Sequence, residues 1–95
     1  MSTVALQGKI TISNANEMRR ALADALRPRP AELTVDLSDV HYMDTSGLAT
    51  LIEAKRIALQ QSTRLILGRL QEQPRFLFSV TDLDHVFQID EPADT

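Results

Sequence analysis

The chain contains no cysteine and no tryptophan, and only three of its 95 residues are glycines. Without cysteine it has neither a disulfide framework nor a thiolate metal site. The glycines, at positions 8, 47 and 68, lie too far apart to form a loop that cradles phosphate groups. The Gly-x-Ser-x-Gly pattern of one large class of hydrolases is also absent. We therefore predict a protein that is not an enzyme and that needs no cofactor or metal ion.

Long apolar runs and an excess of basic residues are also missing. No apolar stretch approaches the roughly 18 residues of a membrane span, and the N-terminus lacks the pattern of a signal peptide, so we expect a cytoplasmic protein. The formal net charge of -3 and the pI near 5.2 argue against a nucleic-acid-binding surface. The balance of 43% hydrophobic and 24% charged residues is typical of a globular chain. We predict one domain over residues 1–90 and a flexible tail over residues 91–95.

The segment 40–48 joins the end of a strand to the start of a helix. Residues 33–37 alternate apolar and polar side chains with a period of two, which predicts a half-buried strand. Residues 48–61 contain neither glycine nor proline and favour a helix. Between them stand three residues that favour helix N-caps: Asp44, Thr45 and Ser46. A simple cap explains this turn when it is taken alone, but a hydroxyl there also faces unpaired N–H groups and the positive helix end, which attract anions.

The remaining patterns predict strands alternating with helices. Residues 3–7 form a strand, and the residues after Gly8 form either its hairpin partner or its continuation. A helix capped by Ser13 or Asn14 runs to about Leu26. Its apolar stripe consists of Ala15, Met18, Leu22, Ala25 and Leu26. A further strand covers residues 63–67, and the helix between it and the preceding strand predicts a parallel crossover.

The inward side chains follow from the same periodicities. In the second helix we expect Leu48, Leu51, Ile52, Ala58 and Leu59 to be buried in some combination. A third helix over residues 71–80 contains Pro74 in its first turn and turns Phe76, Leu77 and Val80 inward. Leu83, Val86, Phe87 and Ile89 close the core. The result is an α/β sandwich of four or five strands, with its helices mainly on one side.

The run from Val35 to Leu51 resembles the core signature of the STAS domain, the fold of the anti-sigma factor antagonists. The matching residues are Val35-Asp36-Leu37-Ser38, Val40, Met43-Asp44, Ser46-Gly47-Leu48 and Leu51. The resemblance extends from Leu6 to Ile89 and implies a four- to five-stranded mixed sheet. In that family a kinase phosphorylates the hydroxyl residue before the glycine. This position corresponds to Ser46, with Thr45 as the less favoured acceptor.

The resemblance also implies a partner switch. The unmodified domain binds an anti-sigma factor that is a serine kinase of the histidine-kinase-like ATPase type. Phosphorylation ends this complex and a PP2C-type phosphatase restores it. The partner surface is expected to include Met43, Asp44, Thr45, Ser46, Gly47, Thr50, Glu53 and Thr11. Thr11 stands where family members often have an acidic residue, so partner binding or phosphorylation rate is expected to differ. We expect a monomer or a weak dimer.

The alternative within this fold is a STAS subunit that is never phosphorylated and that regulates a phospholipid-transport ABC ATPase. In that case Thr45 and Ser46 supply an interface hydroxyl.

Other polar side chains have simpler explanations. His41 has no cysteine to join it, and the second histidine is distant at position 85, so we predict an exposed or strand-edge residue rather than a metal ligand. Asp36, Asp39 and Asp44 suggest a magnesium site by residue type. Their positions at a strand end, a turn and a helix cap explain them better than a metal site does.

Overall fold

The computed structural model describes residues 2–90, in which strands alternate with helices. The elements in chain order are β1 (Ser2–Ile10), α1 (Ala15–Leu26), β2 (Glu32–Met43), α2 (Thr45–Gln60), β3 (Arg64–Gly68), α3 (Glu72–Val80), a 3-10 helix (Leu83–His85) and β4 (Gln88–Asp90). The predicted α/β architecture is confirmed. The predicted tail over residues 91–95 lies outside the described residues.

The described strands form one sheet in the order β1-β2-β3-β4, and every neighbouring pair is parallel. This differs from the mixed sheet that we expected. A helix separates each of these strands from the next. Such a helical crossover returns the chain to the end of the sheet where the previous strand began, so the next strand runs parallel to it. Gly8, with a φ of 84°, lies within β1, so the residues after it continue the strand rather than form a hairpin.

The strand β2 contains two irregularities in its pairing with β1. Ala5 pairs with Asp36 but Gln7 pairs with Asp39, so β2 has one extra residue between these pairs. A second shift follows between Gly8 and Lys9. At the first shift the Ser38 N–H donates to Asp36 Oδ1 at 3.0 Å, and this bond holds the pKa of Asp36 below its usual value. The turn expected at Asp39 is therefore an irregularity within one strand.

One face of the sheet carries the hydrophobic core, and all three helices contribute to it. From β2 come Leu33, Val35, Leu37, Val40 and Met43. The helices add Met18, Leu22 and Leu26 from α1, Leu48, Leu51, Ala54 and Ala58 from α2, and Phe78 from α3. The Phe78 ring meets that of Phe87 edge-on, with centroids 5.4 Å apart. The predicted stripe of α1 is confirmed, although Ala25 is only partly buried.

The inward faces of α2 and α3 differ in part from the prediction. Ile52 and Leu59 of α2 are exposed, as are Phe76 and Val80 of α3 and Val86 near the chain end. In α3 the buried residues are Pro74 and Phe78, which lie four positions apart and therefore share one helix face. The 3.6-residue period then places Phe76 and Val80 on other faces. Leu77, Leu83 and Ile89 pack against the core, as expected.

Across residues 2–90, no helix combines the length and the apolar character that crossing a membrane requires.

Candidate functional site

The turn between β2 and α2 lies at the carboxyl end of the parallel strands, beside the loop that follows β1. The Asp44 N–H donates to the carbonyl of Ile10, the last residue of β1, at 3.1 Å. The side chain of Asn14 holds the neighbouring loop, because its Oδ1 accepts from the Thr11 N–H at 2.9 Å and its Nδ2 donates to the Lys9 carbonyl at 2.7 Å. The loop 11–14 and the start of α2 therefore form one continuous edge of the molecule.

Asp44 is the N-cap of α2 and pairs with the backbone of its first turn. Its Oδ1 accepts from the Ser46 N–H at 2.8 Å, and its carbonyl oxygen accepts from the N–H groups of Gly47 and Leu48 at 3.0 and 3.3 Å. The expectation that the hydroxyl faces unpaired N–H groups is therefore wrong for these three donors. An anion on the Ser46 side chain would have to compete with the Asp44 carboxylate for the N–H of Ser46.

The two candidate acceptor hydroxyls differ in exposure. Thr45 is exposed, whereas Ser46 is half-buried. The carbonyl of Ser46 accepts from Thr50 Oγ1 at 2.9 Å, one helical turn further along. This bond uses the Thr50 hydroxyl within the helix.

Gly47 is required by the space around it. A Cβ added there would lie 2.5 Å from Met43 Cγ and 3.1 Å from Ile10 Cγ2. Both of these neighbours are buried core residues, so neither has open space to move into. The small residue therefore allows the start of α2 to pack directly against the ends of β1 and β2.

The structure divides the expected partner surface into two groups. Met43 and Thr50 have 0% and 1% of their surface exposed, and Gly47 is also buried. The expectation that these three contact a partner is therefore corrected, because they pack inside the turn and support it. The other five reach the surface: Thr11, Asp44, Thr45, Ser46 and Glu53. Glu53 forms an ion pair with Arg19 of α1, with Nε and Oε1 2.9 Å apart.

The sequence interpretation missed the apolar residues around the turn. Ile12, in the loop after β1, is 79% exposed. On α2, Ala49 and Ile52 are exposed and follow Thr45 at intervals of four and three residues, so the three share one face. The available signal was an isoleucine directly before the predicted helix cap at Ser13 or Asn14, together with an apolar content of α2 too high for one buried stripe. We name Ile12, Thr45, Ser46, Ala49 and Ile52 the turn face.

The other polar candidates do not join this site. His41 is exposed and lies on β2 beyond the last pair with β3, as predicted for an edge residue. Asp36 belongs to the strand irregularity, and Asp39 is exposed. Within residues 2–90, three potential metal ligands come together at one place, around the 3-10 helix, where His85 Nε2 lies 3.6 Å from a carboxylate oxygen of Asp82 and of Asp84. This group contains none of Asp36, Asp39 and Asp44.

An α/β fold with an Asp-Thr-Ser-Gly turn between a strand and a helix is what the sequence resemblance implied, although the sheet is parallel rather than mixed. The family model described as "Mlab, STAS domain" matches residues 1–89, and the chain belongs to this STAS-domain family. The anti-sigma-B factor antagonist of Bacillus subtilis is 31% identical over 86 residues, which cover 90% of this chain and 78% of that protein. The protein of the same name from Listeria monocytogenes is 29% identical over 82 residues, or 86% of this chain and 72% of that protein.

Other similarities concern a larger protein and the fold. The chain is 28% identical over 85 residues to the Bacillus subtilis protein named "Putative sulfate transporter YvdB", but spans only 16% of its length. An anti-sigma factor antagonist structure from Mycobacterium paratuberculosis has a TM-score of 0.85 and 22% identity, covering 97% of this chain and 78% of that chain. The unphosphorylated anti-sigma factor antagonist SpoIIAA has a TM-score of 0.80 and 16% identity, covering 98% and 81%. These two structures confirm the fold.

Proposed function

We propose that this chain is a non-catalytic anti-sigma factor antagonist in a partner-switching system, with Ser46 as the regulated residue. The unphosphorylated form binds an anti-sigma factor that is also a serine kinase of the histidine-kinase-like ATPase type. Phosphorylation of Ser46 releases this partner, and a PP2C-type phosphatase restores binding. Relatives that bear the name anti-sigma-B factor antagonist support the proposal. The observation that carries it is a half-buried hydroxyl beside the Asp44 cap, within a partly apolar exposed face.

The physical basis of the switch is the charge around the Ser46 backbone. A phosphate adds about 1.5 to 2 negative charges and three acceptor oxygens. At Ser46 these oxygens would add to the negative charge of the Asp44 carboxylate, which stands two residues away and already accepts the Ser46 N–H at 2.8 Å. The positive end of the α2 dipole offsets this repulsion only in part, because the N–H groups of Ser46, Gly47 and Leu48 are paired with Asp44. Phosphorylation therefore adds bulk and negative charge at a place where the unmodified turn presents a neutral hydroxyl.

The apolar part of the turn face explains why such a change would release a partner. Ile12, Ala49 and Ile52 can be covered by an apolar patch on the partner, as in the centre of a typical protein interface. Within such a contact the added phosphate would lose its water, and burying an unpaired charge carries a large free-energy penalty. The complex is then weakened without a change of fold.

The test compares Ser46→Asp and Ser46→Ala with the unmodified protein in calorimetric binding to the histidine-kinase-like ATPase of the same genome. We expect Ser46→Asp to weaken binding at least tenfold and Ser46→Ala to retain it. Thr45→Ala is the matched control, since it removes the neighbouring hydroxyl. Peptide mapping after incubation with the kinase and ATP should locate the phosphate on Ser46. Equal affinities for the Asp and Ala variants would contradict the proposal.

A second candidate function has one observation in its favour, the occurrence of a similar segment within a protein named for transport. In that function the domain regulates a phospholipid-transport ABC ATPase, and Thr45 and Ser46 are interface hydroxyls that are never modified. The two functions differ in the intact mass of the protein from its native host and in what purifies with it. One phosphate on Ser46 and a bound kinase support the switch, whereas an unmodified chain bound to an ABC ATPase supports the transport function.

A further inference from the structure

The strand β2 extends beyond its neighbour β3. The pairing of β2 with β3 ends at Asp36, while β2 continues to Met43 with β1 on its other side. Two glutamines at the start of α3 bind this unpaired part. Gln71 Nε2 donates to the Ser38 carbonyl. Gln73 binds both backbone groups of Met43, because its Oε1 accepts from the Met43 N–H at 2.8 Å and its Nε2 donates to the Met43 carbonyl at 3.0 Å.

The amide of Gln73 thus replaces a neighbouring strand at the last residue of β2. The N–H of the next residue, Asp44, points the other way and bonds to Ile10 of β1. The end of β2 is therefore held from both sides, by a strand on one and by a side chain on the other. Gln73 is half-buried, so water competes only in part for these two bonds.

Met43 connects this contact to the regulated turn. It directly precedes the cap residue Asp44, and its buried side chain leaves no room for a Cβ at Gly47. A displacement of the Met43 backbone would therefore change both the cap and the packing of the first turn of α2. Ser46 lies between Asp44 and Gly47, the two residues that Met43 holds in place.

We propose that Gln73 is a positioning residue, which fixes Asp44, Ser46 and Gly47 through the backbone of Met43. Its functional meaning rests on the proposed switch, but its geometric part can be tested alone. A neutral amide supplies one acceptor and one donor in a single plane. Alanine removes both. A glutamate at this position retains an acceptor, but it has no proton for the Met43 carbonyl unless its carboxyl group is protonated.

The first experiment measures amide hydrogen exchange by NMR on the full chain, for Gln73→Ala and for the matched control Gln71→Ala. We expect Gln73→Ala to speed the exchange of Met43, Asp44, Ser46 and Gly47 about tenfold and to leave the central strand residue Leu67 unchanged. Gln71→Ala, whose bond lies five residues before Met43, should leave the turn unchanged. Faster exchange at Met43 alone, or an equal effect of the two variants, would overturn the proposal.

The second experiment uses Gln73→Glu and varies pH. After correction for the intrinsic pH dependence of exchange, the turn amides of this variant should be protected when the carboxyl group is protonated and lose protection as it ionises. Gln73→Ala retains the Asp44 carboxylate, which itself binds the Ser46 N–H and titrates, so its profile is the reference and the step is the difference between the two variants. A Gln73→Glu profile with the same pH dependence as that of Gln73→Ala would count against the proposal.

Neither exchange measurement needs a partner, so a failed binding test of Ser46→Asp would reject the proposed function and leave this inference standing. The reverse also holds. If Ser46→Asp weakens partner binding while Gln73→Ala leaves the turn amides unchanged, only the positioning role is rejected. If both the proposed function and the positioning role are correct, the initial rate of Ser46 phosphorylation should fall about tenfold in Gln73→Ala and less than twofold in Gln71→Ala.

Discussion

At the scale of single residues, the cap of α2 shows what the local sequence can determine. Asp44, Thr45 and Ser46 are all good N-cap residues, so the sequence predicts a helix start within three positions but cannot choose between them. The choice of Asp44 follows from the bond between its N–H and the Ile10 carbonyl, which joins residues 34 positions apart. Local propensity thus located the turn, and a contact distant in sequence fixed its geometry.

Gly47 gives a prediction at the same scale. Alanine in a helix is usually favoured over glycine by about 0.5 to 1 kcal/mol. Here the added Cβ would lie 2.5 Å from Met43 Cγ, and overpacking of a core typically costs about 1 to 3 kcal/mol. The free-energy cost of the clash should exceed the gain in helix propensity, so we expect Gly47→Ala to lower the free energy of unfolding measured by urea denaturation.

The control for this prediction is the same substitution in a Met43→Ala background. Removing the methionine side chain leaves room for the new methyl group, so Gly47→Ala should cost less there than in the unmodified chain. A stabilising effect of Gly47→Ala alone, or an equal cost in both backgrounds, would contradict the packing argument.

At the scale of elements, the helices and strands were predictable but the inward faces of α2 and α3 were only partly so. The helix α2 has apolar residues both on its buried face and on its exposed face, so hydrophobic spacing alone admits more than one orientation. The orientation is set by Gly47, Leu51 and Ala54, whose buried positions bring the helix close to its neighbours. The exposed Ile52 then becomes available for a partner, as proposed above.

Two leucines of α2 test this orientation. Leu51 is fully buried and Leu59 is 66% exposed, although both belong to the same helix. Leu51→Ala should lower the free energy of unfolding by about 2 to 5 kcal/mol, the usual cost of truncating a buried leucine. Leu59→Ala should change it by about 0.5 kcal/mol or less, as is usual for surface substitutions. Similar losses for the two variants, measured by urea denaturation, would show that α2 is rotated from the position described.

At the scale of the whole molecule, the alternation of strands and helices predicted the parallel crossovers, whereas the mixed sheet came from the family resemblance. The extra residues of β2 were not predictable. The period-two pattern ends near Leu37, and a bulge and a turn both explain that break. The structure shows a continuous strand, and this continuity carries Met43 to the start of α2.

The position of the turn at one end of this sheet predicts that the proposed switch acts locally. Ser46 lies outside the layer formed by Val35, Leu67 and Phe78, so Ser46→Asp should leave the core unchanged. We expect NMR amide shift changes in residues 11–14 and 43–50, and also in Gln73, which binds the Met43 backbone. The strands β3 and β4 should keep their shifts. Ser46→Ala, which adds no charge, should produce smaller changes in the same residues. Changes throughout β3 and β4 would show instead that a negative charge at this turn rearranges the whole fold.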